Sequence, residues 1–147
     1  MPIALPPRSL KYCRTGSYVD SSTRKRTVTP GKPFEIILVF KALQTVSRPW
    51  KVFTHIDGPQ KRKNADHEPA GGRCPTSTWH SGDVIVDRVT VTLDSFYDRG
   101  AYTIWIGFFT GWPPKFRNLL VSDAPDGLRG VPETHPHSIR VADLVVE

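Results

Sequence analysis

Apolar residues recur at every second position through most of this chain, and that alternation predicts strands rather than helices. In FEIILVF, Phe34, Ile36, Leu38 and Phe40 fall on one face, and Ile37 and Val39 on the other. AYTIWIGFF sets Tyr102, Ile104, Ile106 and Phe108 opposite Thr103, Trp105 and Phe109. VIVDRVTVTL groups Val89, Val91 and Leu93, with Arg88, Thr90 and Thr92 facing out. SIRVADLVV puts Ile139, Val141 and Val145 together, WKVFTHI reads as a further strand, and a first strand is expected near residues 9–19. β-Branched and aromatic side chains fill these runs, as a pleated, half-buried surface favours. Turn signals separate them, among them Pro30-Gly31-Lys32-Pro33, Asp57-Gly58-Pro59 and Ser81-Gly82-Asp83. No segment holds a 3.6-residue period. Six to nine strands in about 140 residues predict an all-β, immunoglobulin-like antiparallel β-sandwich forming a single domain over 1–147. Residues 57–82 and 110–137 read as two long loops, the second interrupted by NLLVS, a candidate short strand.

Composition narrows the class without naming a function. The chain is one domain long, and 14 prolines with 11 glycines suit strands and turns. Charge is uneven. Residues 1–63 carry 13 Lys/Arg against three acids, and residues 64–147 carry seven against 11. Such asymmetry suits an anionic partner, but Arg24–Arg26 and Lys61–Lys63 also read as two solvated loops. Nucleic acid ranks below the other partners because the two basic runs fall on different loops. No apolar run approaches the roughly 18–20 residues of a membrane span, and MPIALPPRSLKY does not read as a secretory signal. Cys13 and Cys74 lack CxxC spacing and read as two buried thiols, or as one bridge if the protein is exported.

Three stretches resemble a known bacterial pattern: VTPGKPFEIILVFKALQTVSRPWKVFTHIDG, DHEPAGGRCPTSTWHSGDVIVD and DRGAYTIWIGFFTG. They are similar to the β-sandwich module appended to membrane glycosyltransferases of the protein-mannosyltransferase superfamily and found in other envelope proteins. The pattern has a Pro-Gly before a strand, an aromatic-x-His pair on the next, a Pro-Thr-Ser-x-Trp turn and a Gly-x-Tyr strand start. The resemblance is strongest over 28–110, and its most specific element is Pro75, Thr76, Ser77, Trp79, Gly82 and Asp83. It implies a non-catalytic module of an extracytoplasmic protein, with the transferase chemistry in a membrane domain outside this sequence. HIDGPQKRKNADHEP and GWPPKFRNLL depart from the pattern. In the turn, Thr76, Ser77 and Asp83 are expected to bond back to nearby backbone while Trp79 covers an end of the core. Trp105 is expected in core or inter-sheet packing.

Several chemical readings remain. His55, Asp57, Asp66, His67, Glu68 and His80 supply the residue types of a divalent-metal site, with His55, Asp57, Asp66, His67 and His80 as ligands of a small metalloprotein or metal-dependent enzyme. Their spacing matches no metal motif, and His55 alternates with Phe53 as a buried histidine would. There is no GxSxG elbow and no phosphate-binding loop, so the chain reads as a non-enzyme without a cofactor. Trp112, Lys115, Phe116, Arg117 and Asn118 on a proline-stiffened loop form the candidate ligand surface: aromatic faces stack on sugar rings while amides and charges fix hydroxyls. Trp112 equally suits a cap on the core. The leading expectation is a binding module for a glycan or envelope component. A metalloprotein, or a protein–protein assembly module acting through edge strands, are the alternatives.

Overall fold

The structure is a computed structural model that describes residues 10–11, 26–112, 114–119 and 137–147. It is all-β, built from two sheets. In the first, β3 (Pro33–Lys41) lies antiparallel to β6 (Val84–Thr92) over nine residue pairs, and β1 (Leu10–Lys11) adds to the other edge of β6. The second has the order β2 (Arg26–Val28), β9 (Ile139–Val146), β7 (Gly100–Trp112), β4 (Lys51–Asp57), β5 (Arg62–Asn64). A further strand, β8 (Lys115–Asn118), folds back on the end of β7. The sheets are not uniformly antiparallel: β1 runs parallel to β6, and β2 parallel to β9.

The expected alternation places the core. Ile36, Leu38, Val91, Leu93, Tyr102, Ile104 and Ile106 are buried in one cluster with Val52 and Ile56 of β4. Both sheets contribute, so their apolar faces meet. The last strand departs from expectation. Ile104 pairs with Ala142 but Trp105 pairs with Arg140, so Val141 is an extra residue in the ladder. This β-bulge shifts the parity of the strand. Leu144 and Val146 are therefore the residues that enter the core, while Val141 is exposed. Trp105 is likewise corrected. It is half-buried on the face of β7 opposite Tyr102, Ile104 and Ile106, beside His55, and is not part of the shared core.

The two long loops hold structure of their own. After β5 the chain continues along β4, with Ala65 N–H donating to Thr54 and His67 and Val52 exchanging both backbone bonds. Two short 3-10 turns follow, at Pro69–Gly72 and Thr76–Thr78. The second loop starts later than expected, because β7 runs on to Trp112 and β8 occupies part of the connection. NLLVS contributes Asn118 to β8, and residues 120–136 lie outside the described residues, as does most of the expected first strand.

Candidate functional site

The Pro75–Asp83 turn is held by side chains the sequence singles out, though not all as expected. Thr76 is buried; it accepts from Trp50 N–H at 2.7 Å and donates to the Arg48 carbonyl at 2.5 Å. It thus pins the β3–β4 connection, more than 25 residues away in sequence, rather than its own turn. Ser77 is exposed, and the local bond is made by Thr78, which donates to the Pro75 carbonyl. Asp83 accepts from His80 N–H at 2.9 Å, and Gly82 adopts φ +90°, where a side chain is strained. Trp79 is buried; its indole N–H donates to the Cys74 carbonyl, and its ring stacks on Phe40 and meets Phe108 edge-on. This satellite core closes one end of the fold. Cys74, within it, is disulfide-bonded, so the buried-thiol reading does not hold for it; Cys13 lies outside the described residues.

The metal-candidate residues disperse into separate pairs. Asp57 is held bidentate by Arg62, which keeps the Arg62 guanidinium above its ordinary pKa: the hydrogen bond outweighs partial burial. His55 stacks on Phe53 on the outer face of the six-stranded sheet, with Nε2 3.7 Å from Asp66. It therefore shares a face with Phe53, but not the face that meets the core. Asp66 also accepts from Thr54 N–H. His80 is exposed on the turn near Asp83. His67 reaches Asp87 on β6, with Nε2 2.6 Å from the carboxylate and Nδ1 2.8 Å from the Ala65 carbonyl. Glu68 precedes the first 3-10 turn. Among the described residues no three His, Cys, Asp or Glu side chains come close enough to hold a metal ion.

Aromatic residues instead build a groove on the outer face of the six-stranded sheet. It measures about 360 Å³, and its rings come from Phe53, His55, Phe109, Phe116 and His137. Arg62, Asp66, Asn118 and Ser138 add polar groups. No protein-family model and no curated protein matches this chain. A Cβ on Gly107 would lie 2.2 Å from the Phe53 ring and 2.3 Å from the His137 carbonyl, so a glycine at this point of β7 lets both cross the strand. Phe116 packs edge-on against Phe109 with centroids 5.8 Å apart. Among the described residues, the buried Nδ1 atom of His137 has no hydrogen-bond partner.

The candidate ligand surface is divided by the β7–β8 hairpin. Asn118 pairs with Phe109 and Phe116 with Gly111, and both side chains line the groove. Arg117 and Lys115 pair with Thr110 and Trp112, so alternation turns them to the other face of the hairpin. Trp112 is 76% exposed and lies under the Lys51 ammonium, which sits 4.8 Å from the ring centroid; it does not cap the core. Sequence reasoning missed Phe53, Phe109, His137 and Ser138 as groove residues, and Asp87 as the partner of His67. Asp87 gave a signal. It stands in the same alternating row as Val89 and Val91, and a carboxylate on an inward row demands a partner.

Proposed function

We propose that this chain is a non-catalytic, immunoglobulin-like β-sandwich module that binds a carbohydrate in the groove on its six-stranded sheet. Strand order supports the fold assignment. A β3–β6 pair facing a β9-β7-β4-β5 sheet corresponds to strands B and E facing G, F, C and C′ of a variable-type immunoglobulin sandwich. Tyr102 supports it further. It sits near the start of the strand equivalent to F, is buried, and donates its hydroxyl to the Asp98 carbonyl at 2.7 Å, the arrangement of a tyrosine corner. Burial and the nearby Asp98 hold that phenol above its ordinary pKa, so it stays protonated and donating. The resemblance to the envelope module and the disulfide at Cys74 both favour an oxidising, extracytoplasmic setting.

The groove carries the functional reading. Its volume falls within the roughly 300–1,000 Å³ of small-molecule sites. Its aromatic walls offer stacking faces for the C–H surface of a sugar ring. Asn118 and Asp66 supply polar groups that fix hydroxyls. Arg62 is already neutralised by Asp57, so the site does not select strongly for acidic sugars. The test is a glycan array followed by calorimetry on the best ligand. Phe116→Ala is expected to weaken binding by roughly tenfold or more, the scale of one lost aromatic anchor, while Trp112→Ala leaves it unchanged. Absence of binding to every glycan removes this reading and leaves an assembly module in front.

A further inference from the structure

The end of the molecule where β3 and β7 finish and β4 and β6 begin has a composition unlike the rest. Phe40, Trp79 and Phe108 join the two sheets there, and Thr76 ties in the β3–β4 connection, so the loops at this end belong to one pole. Two of the stretches that form it, residues 41–51 and 107–112 with 114–119, contain no Asp or Glu. They place Lys41, Arg48, Lys51, Lys115 and Arg117 at the pole. The carboxylate of Asp83, also at this end, is turned to the His80 backbone N–H. Among these cations stand two apolar side chains with no cover: Leu43 is 82% exposed and Trp112 76%. Trp112 stands at the tip of the tight β7–β8 hairpin with Lys51 over its ring.

We propose that this pole docks on an anionic lipid bilayer, with Trp112 entering the headgroup region and the five cations facing lipid phosphates. The chemistry fits that partner better than a nucleic acid. An indole carried on a projecting hairpin, with an exposed leucine at the same end, suits a soft interface where the ring is half apolar and half wet. A nucleic-acid strand would need a basic groove that tracks its backbone with aromatic platforms inside it. Cations surrounding such an anchor each add attraction to an anionic leaflet, and the attraction fades within a Debye length. The proposal is independent of the sugar reading, because Trp112, Lys115 and Arg117 lie off the groove.

The experiment is co-sedimentation of the intact protein with two kinds of vesicle, one of phosphatidylcholine alone and one containing about one third phosphatidylglycerol, the anionic fraction that creates the surface potential. Binding to the anionic vesicles and not to the neutral ones is expected, with loss as salt is raised. Each cation removed should cost about fivefold, so Lys115→Ala with Arg117→Ala weakens binding about 25-fold. Trp112→Ala should weaken it roughly tenfold through lost apolar contact. All three side chains are exposed, and an unchanged melting temperature verifies that the variants fold. Equal binding to both vesicle types, or binding to neither, overturns the proposal. So does full affinity in Trp112→Ala. That result marks a plain polyanion contact, which a competing oligonucleotide would displace.

Discussion

Asp87 is fully buried on the inner face of β6, and its two oxygens are taken by His67 Nε2 and by Ala70 N–H. A carbonyl and a carboxylate only accept, so the protonated His67 ring satisfies both, Nδ1 donating to Ala65 and Nε2 to Asp87. Burial alone would lower its pKa, but the Asp87 bond and charge and the Ala65 carbonyl outweigh it, so His67 titrates above its ordinary 6.5. The folded protein then holds this proton more tightly than the unfolded chain does. Its contribution is complete below about pH 6.5, the unfolded value, and is lost as pH rises through the higher folded one. Urea midpoints measured from pH 6 to 9 should fall, and the fall should vanish in His67→Gln. Asp87→Ala, which strands the histidine, should cost about 3–5 kcal/mol. The pair staples the loop after β5 to the opposite sheet, which is a structural task. For that reason His67 was not available to a metal site with His55.

At the level of elements, β7 organises the molecule. Its inner face supplies Tyr102, Ile104 and Ile106 to the core, while its outer face supplies Phe109 and the gap at Gly107. Gly107→Ala should force the Phe53 ring and the His137 carbonyl aside. A loss of about 1–3 kcal/mol in denaturant unfolding is expected, together with weaker ligand binding in the groove. The strands themselves were legible because period-two patterning follows directly from the pleat. That is how Phe34, Ile36 and Leu38 could be assigned to the core. The β9 core residues were not legible, because the extra Val141 resets the parity without any local turn residue to announce it. The groove was hidden for a different reason. Phe53 and Phe109 sit at outward positions of good strands, and only the pairing of β4 with β7 and the return of β8 bring them together. Phe116 and Asn118 were visible as an aromatic and an amide on one loop. Strand alternation then separated them from Lys115 and Arg117, a division that required knowing that the loop is a hairpin.

Across the whole molecule, the disulfide at Cys74 lies beneath Trp79, where the turn seals the satellite core. Reduction should lower unfolding stability by about 2–5 kcal/mol, read as a drop in melting temperature between oxidised and dithiothreitol-treated protein. The same treatment should leave the β4–β7 ladder, which lies in the other core cluster, to melt with the rest of the domain. The charge imbalance of the sequence also resolves at this scale. Part of the central basic run is taken up locally, with Arg62 on Asp57 and Lys61 over the Phe96 ring, whereas other cations gather at the far pole. The rim strand β5 has a consequence of its own. It is three residues long, and its Lys63 would repel the matching rim of a second copy. Molecules crowded shoulder to shoulder therefore have little to zip together along that margin.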